Sequence, residues 1–184
     1  MNIYILSRKA VLQLLDDNEH KVFKDNYVIS IYSTGSESPF TITKGFSRSK
    51  NILKLQFDDI AYYKEDWEME YVNDLIRSRG YKYITDKQVK EIADFLNAID
   101  VNRGKDLIIH CDAGISRSGA VGLVADKMFN VDEEAHMHFR LTNSHIRPNP
   151  YVYAKLAELV LGEPYNKTEQ YKLEKKYNKQ KEKK

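Results

Sequence analysis

Cysteine is almost absent from this sequence. Its one occurrence, Cys111, excludes an intrachain disulfide and suits a reducing, cytoplasmic compartment. No apolar run approaches the roughly 20 residues that a membrane helix needs. The opening Met1-Asn2-Ile3-Tyr4-Ile5-Leu6 lacks the basic leader and the longer apolar core of a signal peptide. No Gly-rich Walker loop occurs, which argues against nucleotide hydrolysis of that type. His136, His138 and His145 lack metal-ligand spacing and have no cysteine partner, so they read as solvated surface residues. Neither a metal nor an organic cofactor is implied. No internal repeat is visible.

What is present is one domain's worth of chain. The 184 residues are 42% hydrophobic and 30% charged, as in soluble globular proteins. The net charge of +2 is unevenly placed. From Lys167 to Lys184 there are eight Lys and three Glu, a net of 8 − 3 = +5, which leaves 2 − 5 = −3 for the rest. The body is thus mildly acidic, which argues against a nucleic-acid-binding fold, while the tail could touch nucleic acid. Residues 1–164 are read as the folded domain. Residues 165–184, Lys-rich and nearly without aliphatics, are read as a flexible tail.

Along the chain, Ile3–Leu6, Tyr27–Tyr32 and Ile52–Phe57 read as strands, and Asp58-Asp59 end the last of these. Ser7 is placed to cap a helix carrying Ala10, Val11, Leu12, Leu14 and Leu15. Gly35 to Lys50 reads as a long polar loop, and Trp67 to Ile76 as a helical piece. Asp86 is expected to cap a helix whose Val89, Ile92, Ala93, Leu96 and Ile99 share a face. Asn102-Arg103-Gly104 is a turn. Asp132 caps a helix from Glu133 to about Leu141, and a final helix runs from Tyr151 to Leu161 before Gly162 and Pro164 stop it. Strands interleaved with helices imply an α/β sandwich with a mostly parallel central sheet flanked by helices.

The chemistry concentrates in His110-Cys111-Asp112-Ala113-Gly114-Ile115-Ser116-Arg117-Ser118. It follows the apolar strand Leu107-Ile108-Ile109 and leads into the helix Ala120–Ala125. A loop at a strand end that opens a helix gathers backbone N–H groups around one point, and the helix N-terminus adds positive potential there. That is an anion site suited to phosphate, formed by the backbone of Asp112, Ala113, Gly114, Ile115 and Ser116. Arg117 closes it with a planar, bidentate fork. Cys111 lies at its base, where positive potential suits a thiolate nucleophile. The site also follows the rule that ligands bind at the carboxyl ends of strands in such sheets. The bland alternative is a lone buried cysteine acting as a small hydrophobe, with an arginine six positions on by chance. Gly114 in mid-loop, the flanking His110 and Ser118, and the strand-loop-helix setting weigh against it.

This stretch resembles the signature loop of the cysteine-dependent protein tyrosine and dual-specificity phosphatases: His-Cys, five residues, Arg, Ser. The version here, HCDAGISRSG, is most similar to compact bacterial and phage members, and the similarity in layout runs from about Tyr27 to Leu161. It implies a protein tyrosine phosphatase-like fold and two-step hydrolysis through a phosphocysteine. It implies an acid on an upstream loop, which Phe57-Asp58-Asp59 resembles, and favours Asp59 over Asp58. The Trp-Pro-Asp form of that loop is absent, and two solvated turn aspartates are the alternative. It further implies that Ser118 helps the cysteine depart in the second step, that His110 orients the loop, and that Asn149 of Arg147-Pro148-Asn149 buttresses it; the alternatives are a Ser118 hydroxyl that only satisfies the helix start and a merely structural His110 at the strand end. Some 110 residues precede the cysteine, unlike low-molecular-weight tyrosine phosphatases. Phosphoinositide phosphatases often carry Lys in this loop. Here there is none, and Asp112 adds a negative charge that disfavours very anionic substrates.

Three functions follow. The first is metal-independent hydrolysis of phosphotyrosine in a phosphorylated protein, with phosphoserine and phosphothreonine as further substrates. The second is capture of phosphoproteins without turnover. The third is hydrolysis of a non-protein monoester, such as a nucleotide or an RNA 5′ end.

Overall fold

The apolar runs become four short strands because their side chains alternate between two faces and both faces are covered. The computed structural model describes residues 1–17, 19–46, 48–61, 76 and 78–163. Its strands are β1 (Ile3–Ser7), β2 (Tyr27–Tyr32), β3 (Ile52–Gln56) and β4 (Leu107–Cys111). They form one sheet in the order β1-β4-β2-β3, with every pair parallel. Strand β4 is central and buried along its whole length, as parallel strands covered on both faces are.

The period-two alternation sorts the core into two layers. Val28, Ile52 and Ile108 face one side, where they pack with Val11, Leu15, Phe23, Phe40 and Phe46. Those residues come from α1 (Arg8–Asp16), α2 (His20–Asp25), α3 (Pro39–Ile42) and the loop after it. Ile29, Ile31, Leu107, Ile109 and Cys111 face the other side. That side is covered by α4 (Asp86–Asn97), α5 (Arg117–Phe129), α6 (Glu133–Thr142) and α7 (Pro150–Leu161). Ile109 is fully buried on this face, so truncating it to Ala would cost about 2–5 kcal/mol. The alternation also divides the two residues that end β4. Cys111 joins the α5 layer, and His110 points to the α3 side, 5.8 Å from the Phe40 ring. Gly122 lets α5 approach the sheet, since a Cβ there would lie 2.5 Å from Ile5 Cδ1.

The structure departs from the sequence expectations in local detail. Strand β1 extends to Ser7, whose Oγ accepts from Ala10 N at 3.1 Å. The segment Gly35–Lys50 is not all loop. Ser38 Oγ accepts from Phe40 N at 3.2 Å, Pro39 sits in the first turn, and the short α3 buries Phe40. Its apolar content is too brief to show helical periodicity. The cap of α4 is Thr85, which forms a reciprocal capping box with Gln88, and not Asp86. Asp86 instead binds Lys155 Nζ at 2.8 Å. Helix α7 starts one residue earlier than expected, at Pro150, with Asn149 as its cap. Helix α2 had no counterpart in the sequence reading. Apart from Ile76, the expected helical piece at Trp67–Ile76 lies outside the described residues, as do the boundary at 164 and the tail 165–184. No described helix is long and apolar enough to cross a membrane.

Candidate active site

Cys111 is the last residue of β4 and is buried. The chain then turns through residues 112–116 and enters α5 at Arg117. The turn depends on Gly114. Its φ is +70°, and a Cβ there would lie 2.6 Å from Leu6 C and Ser7 N. Those atoms are backbone of the neighbouring strand end and cannot move aside, so only glycine fits.

The loop is tied down from outside through its carbonyl groups. Asp112 O accepts from Arg8 N at 3.1 Å, Ile115 O from Arg147 N at 3.0 Å, and Ser116 O from Asn149 N at 3.0 Å. A trans peptide sets the next N–H opposite to each carbonyl. The N–H groups of Ala113, Ser116 and Arg117 therefore point away from those neighbours.

Arg117 is buried beside this loop. Its Nη1 donates to Phe57 O at 2.6 Å and its Nη2 to Asp112 Oδ2 at 2.7 Å. Its Nε is buried and, among the described residues, has no partner. A buried guanidinium N–H left unmade is costly unless a ligand takes it. Asp112 also accepts from Ser33 Oγ. Burial pushes the Asp112 carboxyl up, but the hydrogen bonds from Ser33 and Arg117 and the charges of Arg117 and Arg8 outweigh it. The carboxyl is held below its ordinary range.

Ser118 lies on the first turn of α5 with its Oγ 3.1 Å from Cys111 Sγ. It therefore faces the sulfur, in contrast to a hydroxyl that only satisfies the helix start. The two upstream aspartates differ sharply. Asp58 is buried and accepts from Thr34 N at 3.0 Å, Thr34 Oγ1 at 2.6 Å and Lys82 N at 2.7 Å. It holds its loop in place. Asp59 is exposed, and its Oδ1 accepts from Ser116 Oγ at 2.7 Å and from Asn149 Nδ2 at 2.7 Å. One Asp59 oxygen is thus held on the side of the 112–116 loop.

Asn149 is buried and uses every polar atom it has. Its N–H holds Ser116, its Nδ2 holds Asp59 and Ile60 O, and its Oδ1 accepts from Tyr151 N and Val152 N to cap α7. His110 is fully buried at the end of β4. Its Nε2 pairs with Ser30 Oγ at 2.7 Å, and Ser30 pairs with Ser38 Oγ at 2.7 Å, so it joins β4 to β2 and α3. Burial lowers its pKa from 6.5 to about 4, against a smaller upward pull from the Cys111 backbone. At neutral pH it is an uncharged structural residue. His136 is not simply solvated either, because its Nδ1 binds the buried carboxylate of Asp126. Among the described residues no group of three or more His, Cys, Asp or Glu could hold a metal ion.

Arg8, Ser30, Ser33, Thr34 and Ser38 were not found from the sequence. Ser33 lies 79 positions from Asp112, and Ser30 lies 80 from His110. Nothing local to these residues signals such contacts, which come from β2 and β4 being neighbours in the sheet.

Neither a family model nor a curated protein matches the chain. Solved structures do. Human tyrosine phosphatase-like serine/threonine/tyrosine-interacting protein aligns at 16% identity with a TM-score of 0.49, over 86% of this chain and 90% of that one. Human DUSP28 aligns at 15% identity with a TM-score of 0.46, over 87% and 92%. Tk-PTP in its active form aligns at 16% identity with a TM-score of 0.48, over 88% and 90%.

Proposed function

We propose that this chain hydrolyses phosphate monoesters through a phosphocysteine, with phosphotyrosine in a phosphorylated protein as the leading substrate and phosphoserine and phosphothreonine as further ones. One observation carries the reading. The buried Nε of Arg117, without a partner among the described residues, adjoins a loop whose Ala113, Ser116 and Arg117 N–H groups point away from the loop's outer contacts, and Cys111 and Ser118 meet at 3.1 Å beside it. Phosphate supplies what that arrangement lacks, an anion with several acceptor oxygens.

In the first step the Cys111 thiolate attacks phosphorus. The P–O bond to the leaving group breaks, and Asp59 donates the proton that the departing oxygen takes up. Loop N–H groups and Arg117 hold the phosphoryl oxygens as charge shifts onto them. In the second step Asp59 removes a proton from water, the water oxygen attacks phosphorus, and the S–P bond breaks. Ser118 Oγ donates to the sulfur as it leaves. Inorganic phosphate and the thiolate are released. Asp58, His110 and Asn149 hold the reacting groups in place and exchange no proton with substrate.

The test is hydrolysis of an aryl phosphate by the full chain, followed by a panel of phosphopeptides, nucleotides and RNA 5′ ends. Wild type should turn over, and acid-quenched protein should carry one phosphoryl group on Cys111 by mass spectrometry. Cys111→Ser should bind phosphate without turnover. Full activity in Cys111→Ser would sink the mechanism. Phosphopeptide binding by wild type without any turnover would favour a capture module, and preference for nucleotides or RNA ends would replace the protein substrate.

A further inference from the structure

We propose that Asp112 determines specificity at this site: its carboxylate, seated on Arg117, admits a single phosphate monoester group and rejects polyanions such as pyrophosphate. The inference rests on the phosphate site argued above and names the charge class of its substrate.

The argument begins with how Arg117 is used. Its Nη1 is committed to Phe57 O and its Nη2 to Asp112, at 2.6 and 2.7 Å. The buried Nε is its one nitrogen without a partner among the described residues. Each Nη keeps a second N–H, but the guanidinium is already held by Phe57 and Asp112, so a ligand meets it along its Nε edge, which fits a single phosphoryl group. Charge gives the same answer. Two cations, Arg8 and Arg117, face the Asp112 carboxylate and, in the proposed first step, the Cys111 thiolate while Asp59 holds its proton, so the formal charges at the loop cancel. Attraction for the first phosphoryl group is left to backbone N–H groups and the start of α5, which act at short range. Among the described residues no further cation forms a contact with the loop side chains that could hold a second phosphoryl group. The side chain of Asp112 is 38% exposed and that of Arg117 only 4%. An incoming anion therefore meets the field of the carboxylate before it reaches the guanidinium.

Asp112→Asn separates charge from geometry. An amide oxygen can still accept from Arg117 and Ser33, so the shape is kept and one negative charge is removed. The experiment is calorimetric titration of the full chain, wild type and Asp112→Asn, with inorganic phosphate and with pyrophosphate at low and moderate salt. Thermal melts confirm that both proteins are folded. Asp112→Asn should tighten phosphate about fivefold, as expected for one partly screened charge nearby, and pyrophosphate by a larger factor. Both gains should shrink as salt rises. Ser33→Ala, which removes a hydrogen bond from Asp112 without changing charge, should not tighten either ligand. Unchanged or weaker binding in Asp112→Asn would overturn the proposal. So would equal gains for the two ligands, tightening in Ser33→Ala, or no phosphate binding in either protein. Absence of aryl phosphate turnover would instead sink the catalytic reading, and the titrations would still be readable.

Discussion

Asn149 and Asp59 stand 90 positions apart and are joined by a 2.7 Å hydrogen bond from the amide Nδ2 to the carboxylate Oδ1. The same amide group caps α7 through its oxygen. One side chain therefore fixes where the last helix begins and where the proposed acid sits. This coupling makes the two functions of Asn149 separable by mutation.

Asn149→Ala should lose both. Removal of the cap should cost about 1 kcal/mol of stability, with further loss from the unpaired Asp59 and Ile60 acceptors. Asn149→Ser restores a capping hydroxyl but cannot reach Asp59. Its stability should recover towards wild type, while turnover of a poor leaving group stays low. Urea denaturation and steady-state rates on the two variants check this. Recovery of both together would show that the link to Asp59 has no catalytic role.

Asp59→Asn should slow hydrolysis of an unactivated aryl ester roughly 10²–10⁴-fold, the usual contribution of general acid catalysis. The loss should be much smaller on an activated aryl phosphate, which departs without a proton. The basic limb of the rate profile should flatten. Asp58→Asn should behave differently. It weakens three hydrogen bonds to a buried carboxylate and should cost about 1–3 kcal/mol of stability while keeping both limbs. The measurement is rate against pH for both variants on two leaving groups. A flat basic limb in Asp58→Asn and an unchanged one in Asp59→Asn would reverse the assignment. If neither flattens, the acid lies elsewhere, and Glu65, Asp66, Glu68 and Glu70, outside the described residues, are the next candidates to mutate.

Gly114→Ala should displace the phosphate loop from the end of β1. The new Cβ would sit 2.6 Å from backbone atoms at a φ of +70°. A loss of about 1–3 kcal/mol is expected, with turnover falling more than stability alone accounts for. Thermal melts and aryl phosphate rates test it. Wild-type values for both would show that the loop has room to spare.

His110 gives stability a pH dependence of known sign. Its folded pKa is about 4, below the ordinary 6.5, because burial disfavours the charged ring. Above 6.5 the ring is neutral in both states and contributes nothing. Below 6.5 the unfolded chain takes up a proton that the folded one does not, so stability falls as pH drops towards 4. The full loss is about 3 kcal/mol. Urea unfolding of wild type and His110→Gln from pH 7.5 to 4.5 should show a steeper decline in wild type. Parallel lines would mean that His110 is charged in the folded state.

Much of the local structure is readable from residue order. The strands of an α/β sheet follow from period-two apolar runs, and most helices follow from spaced apolar residues with capping side chains before them. The strand-loop-helix layout around Cys111 was legible because its parts are contiguous: a strand, a glycine that must turn, an arginine and a helix start all lie within Leu107–Ala125. That locality is why Cys111, Arg117 and Ser118 could be named together. Asn149 and Asp59 were reachable only through family resemblance, since no local pattern marks either.

Tertiary structure decided the rest. Strand order cannot be read from strand sequences, yet it puts Ser30 and Ser33 of one segment beside His110 and Asp112 of another. It gave Asp58 and Asp59 opposite fates, one buried under three donors and one exposed at the loop. It turned Asp112 from a loop residue into the counter-charge of Arg117. The physical reason is the same each time. A side chain's local preference is fixed by its neighbours in sequence, but its charge, burial and hydrogen-bond partners come from whatever the sheet and helices bring alongside.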